Sequence, residues 1–434
     1  MSPAASKETS PYLCPMTDHV NVPSEIGALQ RVIVHRPDAG IARISPRHAG
    51  ELLFDDIVHL PKMQEEHDIF TSVLAQFIGR SNVLEIKDLI LESLRADPKA
   101  REHFMGYIAS FEELPASFVA ELNAMDDELL TQVLITGRDP VTDYIYFDPV
   151  PNLIFTRDIA VVVNDHIVIT KAAKEARYRE NLLSRFIFWY HPSFQHLKEQ
   201  KRLINLNDVD MFPPSRTGER ISIEGGDMMV LNNKYLLIGC SERSTTHAFH
   251  SLKKILFDRN VIEHVAMVVI PRERSYMHID TIFTHLNTDH IVAFKPIVVE
   301  GLSSYVEVFD KDGCEREYPS ISEFIKQEIN SKMQFILSGN GQSPYQEREQ
   351  WTDGCNLVTI RPGVALTYDR NPYTEDAFRD HGYSVLHAED FLIQAAADPT
   401  FAAKLENTII TLPSNELSRA RGGSHCMTCP ILRL

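Results

Sequence analysis

The pattern of apolar and polar positions divides the chain into two kinds of segment. Short apolar runs closed by turn residues predict strands, and longer stretches with apolar residues three or four apart predict helices. The first run, RVIVHRP over 31–37, reads as a buried strand ended by proline. From about Pro61 to Gln132 the period becomes helical. Met63, Phe70, Val73, Leu74 and Phe77 recur at that spacing, as do Phe104, Tyr107 and Ile108, then Phe118, Leu122, Leu129, Leu130 and Val133. This predicts an all-helical insertion domain over 61–134. Residues 1–24, polar and punctuated by Pro3, Pro11, Pro15 and Pro23, read as a flexible lead-in. The rest, 25–60 and 135–434, is expected to form one α/β body.

Within that body one motif returns. NLIFTRDIAVVV-ND-HIVIT (152–170), ISIEGGDMMVL-NN-KYLLIG (221–239), HIDTIFTHL-NTD-HIVAF (278–294) and CNLVTIR-PG-VALTYD (355–369) each read as strand, turn, strand. Their turns use the residues that tight hairpins need. Helices over 243–258 and 320–329 and strands over 261–270 and 333–337 fall between them. GGSHCMTCPIL (422–432) reads as a fifth hairpin-like end. Such self-similarity signals a repeat architecture. RVIVHRP has no complete unit of its own, so a unit split between the two ends of the chain would close a ring and remove exposed sheet edges. An open sandwich of two sheets is the alternative.

The hairpins carry reactive side chains at equivalent points: Asp158, then Glu224 with Asp227, then His278 with Asp280, and finally Cys426. In a ring these would converge on one pocket. A pocket so rich in carboxylates is costly unless a cation or a metal fills it. Cys426 follows two glycines that let the backbone approach a ligand, and its thiol needs nearby positive charge to act as a thiolate. His278 and Asp280 share one face of a strand and suit acid–base chemistry. Each signal also has a plain structural reading: a core cysteine, a structural histidine, half a metal site, a solvated acidic turn. Cys426 and Cys429 form a single CxxC, without the second pair that a full zinc site needs.

Composition narrows the picture. The 434 residues carry 43 Lys and Arg against 60 Asp and Glu, a net charge of −17. Such a chain is poorly suited to phosphate backbones and would attract a cationic small molecule. The sequence up to Val20 has no apolar signal core, and no stretch approaches the ~18 apolar residues of a membrane span. Six cysteines (Cys14, Cys240, Cys314, Cys355, Cys426, Cys429) fit a reducing cytoplasm better than a disulfide scaffold.

The ordered motifs F-T-R-D, E-G-G-D, S-E-R, M-H-I-D and R-G-G-x-x-C-M, with ARISPRHAGELLFDDIVHLPKMQEEHDIF over 42–70, resemble the bacterial-type arginine deiminase family. The resemblance runs from about residue 25 to 434. It implies a five-bladed, pseudo-symmetric α/β propeller (the pentein fold) with an inserted helical domain, hydrolysing free L-arginine to L-citrulline and ammonia. Residue by residue it implies Cys426 as nucleophile and His278 as general acid and later base. Asp158 and Asp280 would grip the guanidinium, with Glu224 orienting His278. Arg177, Arg243 and Arg421 would hold the α-carboxylate, with Asn152, Phe155 and Asp227 also at the substrate. No cofactor, metal, nucleic acid or membrane is implied, and a homo-oligomer is left open. The chain departs from the family at Ile159, where proline is common, at His425, where arginine usually precedes the cysteine, and at Cys429, usually methionine. Cys429 also offers Cys426 a disulfide partner, although on an extended strand the two thiols would face opposite ways.

Overall fold

The computed structural model describes residues 19–434, so most of the expected lead-in lies outside the described residues. Its last part is tied down: Val20 and Val22 are buried, and Val22 exchanges backbone hydrogen bonds with Asn164.

The fold is mixed α/β, with five sheets among the described residues. Strands β1 (Leu29–Val34) and β2 (Val83–Glu85) pair in parallel across helix α1 (Leu60–Ile78). Next comes a hairpin, β3 (Ala160–Val163) and β4 (His166–Ile169), whose second strand takes β5 (Leu203–Asn205) as parallel neighbour. The same order recurs in β6 (Met228–Asn232), β7 (Tyr235–Cys240) and β8 (His264–Val269). It recurs again in β9 (Phe283–Asn287) and β10 (His290–Ala293), followed by an inserted hairpin, β11 (Tyr305–Asp310) and β12 (Glu315–Tyr318), and the parallel partner β13 (Gln334–Leu337). The inserted hairpin extends the preceding sheet through β8. A further unit holds β14 (Val358–Arg361), β15 (Val364–Tyr368), β16 (Ser384–His387) and β17 (Thr408–Leu412), with β15 and β16 both parallel to β17. The segment 422–432 is not a hairpin by itself: β18 (Cys429–Arg433) runs antiparallel to β1, so its partner comes from the other end of the chain.

These strands read as continuous apolar runs because both faces are buried. Val162, Ile167 and Ile169 face one core, while Val161, Val163 and Val168 face the next, which they share with Met228 and Val230 of β6. Met229 and Leu231 pass to a third core with Ile291 of β10. Val292 and Leu357 meet in a fourth, and Val358 and Leu366 meet Val32 and Val34 of β1 in a fifth. Ile33 of β1 then points back into the first. Cores and sheets alternate in a closed cycle.

The stretch read as all helix over 61–134 contains β2. Only Val83-Leu84-Glu85 pair there, too few residues for a period to register against the flanking helices. Helix α1 packs on the core around β1, whereas α2 (Ile86–Ala96) and α3 (Pro98–Phe111) pack on α6 (Tyr178–Tyr190), with α4 (Ala116–Ala124) against α3 and α5 (Asp127–Thr136) against α2. Asp97 and Asp126 cap α3 and α5 by accepting from backbone N–H groups. Among the described residues, no helix is long and apolar enough to cross a membrane.

Candidate active site

In every sheet the lead strand of the antiparallel pair is preceded by a tight segment carrying a polar side chain. Turns Thr156–Asp158, Gly225–Asp227 and Ile279–Thr281 lead into β3, β6 and β9. Asn356 precedes β14 and Cys426 precedes β18. The turns are stitched together: Arg157 N–H donates to the Cys426 carbonyl (3.0 Å) and Gly226 N–H to Asp158 Oδ1 (2.9 Å). Gly226 must be glycine, since a Cβ there would lie 2.6 Å from His278 Nδ1.

The segments surround a narrow cavity lined by Asn152, Phe155, Asp158, Arg177, Arg243, His278, Arg421 and Cys426 among others. Cys426 Sγ lies 3.4 Å from Asp280 Oδ2 and accepts from Asn356 Nδ2 (3.1 Å). Burial, and then the charges of Asp280, Asp158 and Asp353, push this thiol well above its ordinary pKa. His278 Nε2 lies 2.9 Å from Glu224 Oε2, and Nδ1 3.9 Å from Asp158 Oδ1. Burial would lower the His278 pKa, but Asp158, Glu224 and Asp227 outweigh it and push it up to about 10. Burial likewise works against the Glu224 carboxylate, yet Arg243, His278 and Arg177 hold its pKa well below the usual range. The site therefore rests as thiol and imidazolium.

Glu224, Asp280 and Asp227 stand behind the cavity wall, each fully buried. Asp227, expected at the substrate, is occupied otherwise: Oδ2 accepts from Ser241 and Ser244 (2.6 Å each) and Oδ1 from Ile279 N–H (3.0 Å). It braces the His278 segment. The arginines also divide. Arg177 donates to Asp158 Oδ2 (2.6 Å), Glu180 (3.0 Å) and Glu224 (3.4 Å), so its guanidinium already sits on carboxylates. Arg243 and Arg421 keep buried N–H groups without hydrogen-bond partners, at Nε of the first and at Nε and Nη1 of the second. Arg421 stacks on Trp351 at 3.2 Å. Each guanidinium has a carboxylate nearby, Glu224 at 3.6 Å from Arg243 and Asp55 at 4.0 Å from Arg421, but these N–H groups stay free to hydrogen-bond an incoming anion.

The side chains of Asp158, Glu224 and His278 offer ligand atoms within 4.8 Å of one another, a spacing a metal could bridge. Arg177 and the proton on His278 already claim those oxygens, and an imidazolium has no lone pair to give. Cys429 packs in a different core from Cys426 and donates to Ala160 O (3.2 Å), so the two thiols face apart.

Sequence reasoning missed Asn356, which accepts from His425 N–H (3.1 Å) and Cys426 N–H (3.2 Å) while donating to Asp280 O (3.1 Å). A neutral amide gives no charge signal, although the hairpin repeat pointed to Cys355 next to it. Arg274, also in the cavity wall, was missed as well; it donates to Asp55 Oδ2 (3.0 Å).

The profile of the family described as "Arginine deiminase" matches residues 50–433. The chain is 32% identical to arginine deiminase of Pediococcus pentosaceus, over 96% of this chain and 99% of that one. It is also 32% identical to that of Listeria monocytogenes, over 96% and 98%. The solved N-terminal domain of ArgZ, an arginine dihydrolase of cyanobacteria, overlays with a TM-score of 0.48 at 13% identity, covering 93% of this chain and 97% of that one, too loosely to bear on activity. The length and identity of the sequence matches decide the assignment: the chain belongs to the arginine deiminase family.

Proposed function

We propose that the cavity hydrolyses free L-arginine to L-citrulline and ammonia through a covalent intermediate on Cys426. The carrying observation is that one buried cavity joins a thiol set against a carboxylate (Cys426 and Asp280) to an imidazolium set against another (His278 and Glu224). The unpaired N–H groups of Arg243 and Arg421 suit the substrate's α-carboxylate. Asp280 Oδ1, buried and without a hydrogen-bond partner, suits its guanidinium. Arg177 leaves Asp158 to join the clamp, so that substrate binding exchanges one guanidinium for another on that carboxylate.

Entry of the substrate cation favours release of the thiol proton to solvent, because a positive charge beside sulfur lowers the thiol pKa, and the departing ammonia takes up that proton equivalent as ammonium. The thiolate attacks the guanidinium carbon. His278, poised as an imidazolium, protonates the departing nitrogen and ammonia leaves. The neutral imidazole then takes a proton from water, whose hydroxide attacks the thiouronium carbon, and citrulline is released as the Cys426–carbon bond breaks. Asn152 and Phe155 contact the substrate. In this reading the five sheets are propeller blades around the cavity, the inserted helical unit is α2–α5, and the reduced nucleophile works in the cytoplasm.

Product analysis after incubation with L-arginine, beside Cys426→Ala, tests this. Citrulline and ammonia in equal amounts, abolished in the variant, are expected. Ornithine with two ammonias per arginine would instead make it a dihydrolase, and turnover of agmatine alone would refute the carboxylate clamp.

A further inference from the structure

His425, which stands where the family usually has arginine, is buried between two carboxylates from distant parts of the chain. Its Nδ1 lies 2.9 Å from Asp280 Oδ2, and its Nε2 3.4 Å from Glu25 Oε2. Glu25 is itself held by Arg157, at 3.2 and 3.4 Å. The backbone of His425 is fixed separately, by Asn356 Oδ1 on its N–H (3.1 Å) and by Thr428 on its carbonyl (2.9 Å). With the main chain pinned, the two carboxylates choose the ring orientation. The bond to Nδ1 occupies Asp280 Oδ2, which also faces the Cys426 thiol, and Oδ1 is left buried without a hydrogen-bond partner. A buried carboxylate oxygen with no donor is costly, and it persists only if the side chain is held in place.

We infer that His425 is a positioning residue for the reaction: its Nδ1–H holds Asp280 so that Oδ2 stays against the Cys426 thiol while Oδ1 is kept without another partner. The inference rests on the reading of Cys426 and Asp280 given above. The electrostatics agree. Burial would raise the Asp280 pKa, and the His425 hydrogen bond leads the influences that bring it below its ordinary value. A histidine suits this post because its ring offers a donor one bond from Cγ, close to its own backbone.

Two polar replacements separate the two ends of the ring. The amide nitrogen of His425→Asn falls near Nδ1 and keeps the donor to Asp280. That of His425→Gln falls near Nε2 and reaches toward Glu25. Steady-state kinetics with L-arginine, alongside thermal melts, should find His425→Asn close to wild type. His425→Gln should lose about 10- to 100-fold in kcat, the range typical of residues that orient a reacting group, while KM moves far less because the α-carboxylate clamp is untouched. Equal kcat in the two variants, or losses that simply follow lowered melting temperatures, would overturn the inference. A wild-type chain that releases no citrulline would sink the functional reading itself, a separate outcome from one in which wild type is active and both variants match it.

Discussion

Asp158 and Glu224 together decide how long His278 keeps its proton. The ordinary histidine pKa is 6.5, and here it is raised to about 10, with Asp158 the leading cause and the hydrogen bond to Glu224 next. A general acid so held stays protonated across neutral pH and is lost only as pH climbs toward 10. Glu224→Gln keeps the side-chain shape but removes the charge. The alkaline limb of the kcat profile should move down by about 1–3 units, the range for loss of a close opposite charge. An unmoved limb would show that another group carries the proton. The same shift links to stability. The native state binds this proton more tightly than the unfolded chain does, so the contribution is complete below about pH 6.5 and fades as pH rises through the native value. Asn356 makes a second residue-scale case, because it satisfies two backbone N–H groups and a carbonyl in a buried place. Asn356→Ala should cost about 1–3 kcal/mol in urea melts through those orphaned groups, and should lower kcat more than either neighbouring turn would suggest.

At the scale of elements, the turns matter more than the strands they introduce. Gly225-Gly226 lets the Glu224 turn press against two neighbours. A Cβ on Gly225 would lie 1.9 Å from Arg157 O, and one on Gly226 would meet the His278 ring. Gly226→Ala should therefore displace the imidazole, costing about 100-fold in kcat, as misplacement by an ångström does, with circular dichroism unchanged. The hairpins are legible in the sequence because Val161 to Val163 or Met228 to Leu231 run without a polar break into Asn-rich turns. The acidic and basic side chains before them are legible for a related reason: charge stands out against such runs. What stays hidden has no local signature. β2 is three residues long, the serine partners of Asp227 come from after β7, and the carboxylates that hold Arg177, Glu180 and Asp158, lie one helical turn and one hairpin away. The stretch read as a helix over 320–329 is helical from Ile321 to Ile329, but its second half, Ile325–Ile329, is wound as a π-helix, which no spacing announced.

For the whole molecule, the critical joint is where β18 meets β1. Arg433 is completely buried there, and its Nη1 donates to Gly27 O and Thr359 O (2.7 Å each), tying three sheet-forming segments to one guanidinium. Arg433→Met should destabilise the fold by about 1–3 kcal/mol, since the buried carbonyls of Gly27 and Thr359 lose their donor. Activity should fall in step with the folded fraction in denaturant titrations, and a melt that leaves activity behind would show that the joint is not shared with the site. The joint also orders events in time. In the chain's sequence Asp158, Glu224, His278 and Asp280 all come before Cys426. A nascent polypeptide therefore carries its carboxylates and imidazole before its thiol, and the reactive sulfur joins them only when β18 meets β1 and brings Ala420 and Arg421 into the wall with it.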